Sequence, residues 1–120
     1  MLEFVREGVA AAQIDATSAS RIELAVEEAL INVISYSGLN PPHQLEINVI
    51  SYPSKIQIII FDGGIPFNPL SKANKEIDNT IPLESREVGG FGIHLIVNMM
   101  DAVEYCRENN QNILTLTKYT

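Results

Sequence analysis

RIELAVEEALINVISYSG, residues 21–38, carries Ile22, Val26, Ala29, Leu30 and Val33 at helical spacing, and that period predicts a long amphipathic helix. Ser20 and Glu23 form a capping-box pattern that would start it, and Gly38 is a natural stop. Asn32 breaks the pattern. Asparagine is a poor helix former because its amide competes for backbone partners, yet here it sits among aliphatics. Glu28 lies four residues earlier, so the two side chains leave the same face. A carboxylate and a carboxamide so aligned suit a base and a metal ligand. They equally suit two solvated polar residues, and this stretch alone does not choose.

The chain has 120 residues, of which 46% are hydrophobic. That is enough for one globular domain, 1–120, with a real core, and too few for two domains. A formal net charge of −7 argues against direct nucleic-acid binding through a basic face and against adsorption to an anionic membrane. It does not exclude a nucleotide, whose phosphates backbone amides and a divalent cation can hold. A single cysteine, Cys106, cannot form an internal disulfide or a cysteine-rich zinc site. The amino-terminal MLEFVREGVA has the wrong charge pattern for a signal peptide, and no apolar run reaches membrane-spanning length. A reducing, cytoplasmic setting is the expectation.

Outward from the central helix, Leu2 to Gln13 has helical spacing interrupted by Gly8, and Ile14 to Ala19 reads as a short polar link. On the other side LNPPH, 39–43, reads as a loop, since consecutive prolines cannot continue a helix. Gln44 to Ser51 alternates as a strand with one apolar face. Tyr52-Pro53-Ser54 turns the chain into a second strand, Lys55 to Phe61, antiparallel to the first. Its continuous apolar end, Ile58 to Phe61, suggests a central strand covered on both faces. Leu70 to Val88 is long and polar, and a stretch of that kind within a compact domain suggests a lid. A helix then runs from the Gly89 region to Met100 or Asp101. Two last strands, Ala102–Arg107 and Asn112–Lys118, flank a turn at Asn109-Asn110-Gln111. The expected fold is α+β, a two-layer sandwich with helices on one face of a mixed, mostly antiparallel sheet.

Two further polar boxes accompany the Glu28–Asn32 pair. In DGGIPFNP, 62–69, an aspartate ends an apolar strand and glycines follow. Asp62 suits an exocyclic amine, Gly64 lets a flat ring near the backbone, and Ile65 and Phe67 suit its faces. A plain tight turn would use the same residues. In the second, Gly89-Gly90-Phe91-Gly92 opens a helix, whose free amides and dipole make an anion seat. No Walker sequence and no dinucleotide fingerprint is present. A glycine cluster that only makes the lid flexible is the competing reading.

Taken together, in this order, the boxes resemble those of the GHKL (Bergerat-fold) ATPase superfamily, and within it the anti-sigma-factor serine kinases. EEALIN is similar to the N-box, DGGIPFNP to the G1 box and VGGFGIHLI to the G2 box, while MMDAVEY and NILTLTK resemble the closing segment. The resemblance implies ATP and Mg2+ as cofactors, with Glu28 as catalytic base and Asn32 as magnesium ligand. It implies that Asp62 reads the adenine amine, that Gly64 permits its approach and that Gly90 and Gly92 hold phosphates, with Gly89, Phe91 and Arg86 beside them. Arg6 matches an arginine of the family's first helix that contacts protein partners. The implied function is an ATP-dependent protein serine/threonine kinase that sequesters a sigma factor and phosphorylates an anti-anti-sigma protein, as a homodimer. The alternative is a non-catalytic, nucleotide-dependent binding module. Family members usually begin with a strand before the first helix, and here Met1 lies almost at that helix, so the amino-terminal strand is expected to be missing. His43 and His94 have no second ligand at suitable spacing, Cys106 reads as filler in a strand, and Met99 and Met100 read as core.

Overall fold

The computed structural model describes residues 2–36, 45–70 and 88–120. Among them lie three helices, α1 (Leu2–Ala11), α2 (Ala16–Tyr36) and α3 (Val88–Met99). Four strands complete the fold, β1 (Leu45–Tyr52), β2 (Lys55–Asp62), β3 (Ala102–Glu108) and β4 (Gln111–Tyr119). The expected loop at 39–43, the Gly38 stop, His43 and the 71–87 part of the expected lid, with Arg86, lie outside the described residues.

Asp15 starts the longest helix. Its Oδ2 accepts from the Ser18 amide at 2.9 Å and its carbonyl from the Ala19 amide at 2.9 Å, so it satisfies amides that a helix start leaves orphaned. The expected Ser20–Glu23 capping box is therefore corrected: Ser20 is inside α2, and the expected link to Ala19 ends at Asp15. An aspartate one turn earlier wins because the cap draws in the weak helix formers of 17–20, while Ile22, Ala25, Val26 and Ala29 are buried and anchor the helix. Glu23 instead accepts from Arg6 Nε on α1. α1 ends at Ala11, two residues before expectation, because Gln13 takes a left-handed φ of 56° while its amide reaches the Ala10 carbonyl at 3.1 Å. Gly8 within it has a reason. A Cβ there would lie 2.9 Å from Val49 Cγ1, so glycine lets α1 press onto β1.

The sheet runs β1-β2-β4-β3, and every pair is antiparallel. The expected mixed character is absent among the described strands. Two tight hairpins set the register, through Pro53–Ser54 between Tyr52 and Lys55 and through Asn109–Asn110 between Glu108 and Gln111. Asn109 and Asn110 both have positive φ, 52° and 62°, the conformation of a primed hairpin turn that matches strand twist. Ile47, Ile56, Ile58, Ile60, Leu114 and Leu116 are buried on the face toward the helices. Each such side chain contributes roughly 1.5–3 kcal/mol relative to exposure. β2 is central in the sheet, as expected, but alternates between buried and half-buried residues. Its other face lacks a second helical layer among the described residues, which leaves Ile59 and Phe61 half-buried. Cys106 is exposed, on the same face as Ile113 opposite it.

α3 packs against α2 through buried Ile93 and Ile96, and Met100 is buried while Met99 packs on the core. Its carboxyl end is tied to β4: Lys118 Nζ donates to the Met99 carbonyl at 3.3 Å, and Asp101 Oδ2 accepts from the Tyr119 amide at 2.6 Å.

Candidate functional site

Near the end of β2, a pocket opens between α2 and the β3–β4 hairpin. Ala29, Asn32 and Val33 form its helical wall, Asp62, Phe67 and Pro69 the wall after β2, and Tyr105, Asn112 and Leu114 its floor. Its enclosed volume is about 10 Å³, the room of one water.

Asn32 is the first anomaly. It is 2% exposed, and among the described residues neither Nδ2 nor Oδ1 has a hydrogen-bond partner. An unsatisfied buried amide costs roughly 1–3 kcal/mol, and such a group in a native fold calls for an explanation, an ordered water or an ion among them. Glu28 is half-buried one turn earlier on α2 and does not line the pocket.

Asp62 is the second. It is 4% exposed, and its Oδ1 accepts from the Gly64 amide at 2.9 Å and from Asn112 Nδ2 at 3.0 Å. No hydrogen bond from a described residue reaches Oδ2. Gly64 thus serves the turn through its amide. Its carbonyl accepts from Arg107 Nη1 at 2.8 Å. Phe67 lines the pocket, whereas Ile65 turns outward, 61% exposed, and contributes only its carbonyl.

Gly89 and Gly90 lie at the start of α3, where backbone amides lack intrahelical partners, while Phe91 and Gly92 follow within the helix, where the Gly92 amide falls to the Val88 carbonyl. Arg6 is exposed on α1 and paired with Glu23, away from the pocket lining. His94 is half-buried on α3. Among the described residues no three His, Cys, Asp or Glu side chains are placed to hold a metal ion. None of the described helices is long and apolar enough to cross a membrane.

Sequence reasoning passed over Asn112 and Arg107, which meet Asp62 and its loop, and Tyr105, whose hydroxyl donates to Asn112. A signal for Asn112 was present: it shares the β4 face of Leu114 and Leu116, so the argument that singled out Asn32 applied equally to this amide.

The fold is a two-layer α+β sandwich with buried polar side chains between its longest helix and a glycine-bearing strand end, and the chain belongs to the histidine kinase-like ATPase domain family, whose model matches residues 1–118. It is similar to the serine-protein kinase RsbW of Bacillus thuringiensis (strain Al Hakam), 25% identical over 100 residues that make up 82% of this chain and 62% of that protein. The same figures hold for the serine-protein kinase RsbW of Bacillus mycoides (strain KBAB4). The chain thus spans less than two thirds of the length of these relatives. In fold it is similar to the Acinetobacter baumannii histidine kinase AdeS, with a TM-score of 0.53 and 19% identity over 84% of this chain and 46% of that one.

An adenine nucleotide with a divalent cation fits the residues present. The orphaned Asn32 amide offers an unshared carbonyl oxygen of the hard kind that magnesium takes, and Asp62 keeps one carboxylate oxygen for an amine donor.

Proposed function

We propose that the domain binds ATP with Mg2+ and acts as a protein serine/threonine kinase that also holds a sigma factor, its phosphate acceptor being an anti-anti-sigma protein. One observation carries the nucleotide part: a fully buried Asn32 amide without partners lines the same pocket as Asp62. The similarity to serine-protein kinases RsbW supports the kinase part. The sigma-factor part rests on the resemblance of the three boxes.

In this reading Asp62 Oδ2 accepts from the adenine amine and Phe67 packs on the ring. The amides of Gly89 and Gly90 at the start of α3 hold phosphates, with Gly92 and Arg86 beside them, and Asn32 Oδ1 holds the cation. Bound ATP supplies the phosphoryl group and the cation neutralises charge that develops on it. Glu28 takes the proton of the acceptor hydroxyl as the new O–P bond forms and the bond to the leaving phosphate of ADP breaks. The exposed Arg6 on α1 contacts a protein partner after leaving Glu23. The setting is cytoplasmic, and two copies pair as a homodimer.

A second reading, nucleotide-dependent binding without phosphoryl transfer, draws on one observation: Glu28 does not line the pocket. Incubation with labelled ATP, Mg2+ and a cognate anti-anti-sigma protein separates the two. Transfer of label to the partner, lost in Glu28→Ala while ADP binding persists, supports the kinase. Undiminished transfer by Glu28→Ala removes Glu28 as the base, and nucleotide-dependent partner binding without transfer leaves the module.

A further inference from the structure

Asn112 makes every hydrogen bond an amide side chain can make. Nδ2 donates to Asp62 Oδ1 at 3.0 Å and to the Ile65 carbonyl at 2.7 Å. Oδ1 accepts from the Tyr105 hydroxyl at 2.6 Å and from the Phe67 amide at 3.2 Å. Two donors and two lone pairs are the full inventory of this side chain. Its orientation follows, because a flipped amide would set its oxygen against the Asp62 carboxylate and the Ile65 carbonyl, and its N–H groups against the donor of Phe67.

We infer that Asn112, held by Tyr105, is a positioning residue that fixes the Asp62 carboxylate and the 65–67 backbone, and so sets how tightly and how selectively the pocket takes an adenine. The inference rests on the nucleotide reading above. Asn112 is 5% exposed and has no donor left for a base, so its hydrogen bonds act on Asp62 and the loop while it only lines the floor beneath the ligand. By engaging Oδ1 together with the Gly64 amide, it turns the other oxygen, Oδ2, toward the pocket as the acceptor for an amine. It also pins the backbone on both sides of Pro66 through the Ile65 carbonyl and the Phe67 amide. One side chain on β4 thereby fixes both the edge reader and the approach of the ring-facing Phe67. Without Tyr105 the amide loses its strongest restraint, since a hydroxyl contact of 2.6 Å is at the short end for this kind of bond.

The test is a double-mutant cycle on ADP and GDP binding by calorimetry, with Asn112→Ala, Asp62→Ala, the double variant and Tyr105→Phe, each checked for folding by thermal melting. Expected are an ADP affinity weakened about tenfold or more in Asn112→Ala, a smaller loss of the same kind in Tyr105→Phe, and a shrunken ADP-to-GDP ratio in both. In the Asp62→Ala background, removing Asn112 should change ADP affinity little, because the two act as a unit. A merely structural role gives additive losses with the ADP-to-GDP ratio unchanged, and that result overturns the inference. If Asn112→Ala does not fold, Tyr105→Phe decides alone, and an unchanged ratio there overturns it. Wild-type protein that takes up no ADP overturns the nucleotide reading itself and the inference with it. Wild type that binds ADP beside a folded Asn112→Ala that binds equally well overturns the inference only.

Discussion

Lys118 Nζ donates to the main-chain carbonyl of Met99 at 3.3 Å, joining the last turn of α3 to β4. The lysine is almost buried, 9% exposed, and Asp101 Oδ2 lies 3.8 Å from the same nitrogen. Helix ends leave carbonyls unpaired and carry partial negative charge, so a buried ammonium there both caps and neutralises. Lys118→Met keeps the stem and removes the charge. It should cost about 1–2 kcal/mol, read as a lower urea midpoint at unchanged slope.

Asn32 predicts a gain. Asn32→Leu removes two orphaned polar atoms from the interior and should stabilise the ligand-free domain by about 1–2 kcal/mol, seen as a higher melting temperature. The same variant should lose the stabilisation that ADP with Mg2+ gives wild type. A lower melting temperature would mean that the amide has a partner in solution.

Gly8 predicts a loss with a rescue. A Cβ at this position meets Val49 at 2.9 Å, too close for a methyl group, so Gly8→Ala should destabilise by about 1–3 kcal/mol despite its better helix propensity. Adding Val49→Ala should recover part of the loss, a coupling that chemical denaturation of the four proteins in the cycle measures.

Gln13 is a non-glycine in the left-handed region, φ 56°, just past α1. Gln13→Gly should raise stability by up to about 1 kcal/mol, because that backbone is unstrained only for glycine. Thermal melting reads it directly.

Asp15 carries a pH dependence. The Ser18 amide, and then the Ser18 hydroxyl, hold its carboxyl below the usual carboxylate range. The folded state favours the ionised cap, so its contribution is full above the unfolded-state value and fades as the pH falls through the lower folded one. Asp15→Asn caps without ionising. Its stability should change less than wild type's between neutral pH and acid, and parallel acid limbs in the two proteins would remove Asp15 from the account.

Periodicity made most of the fold legible. Ile22, Val26, Ala29 and Val33 announced α2, and the alternation of Leu45, Ile47 and Val49 announced β1, because burial of one face is written at a fixed spacing. The cap of α2 was not legible: Asp15, Thr17, Ser18 and Ser20 are all good cap residues within six positions, and only the tertiary position of the helix ranks them. Asn32 and Asp62 stood out as polar residues at the ends of apolar runs. Asn112 showed only as a polar residue on an apolar face, and its partner stayed hidden because that lies in register. It pairs with Asp62 across β2 and β4, a relation that no local window of sequence contains. The Arg6–Glu23 pair, seventeen residues apart on two helices, escaped for the same reason. The open outer face of the sheet followed from the absence of a second layer among the described residues, which the apolar run at Ile58–Phe61 had argued against.

The central ladder of the sheet joins strands that are not neighbours in sequence, and Asp62 meets Asn112 across fifty residues. A ribosome adds residues in order, so in the proposed nucleotide reading the Asp62 carboxylate waits, unpositioned, until β4 has emerged and docked beside β2. Ligand uptake then reports that the whole sheet has closed, and a chain halted before residue 112 should win no protection from the nucleotide.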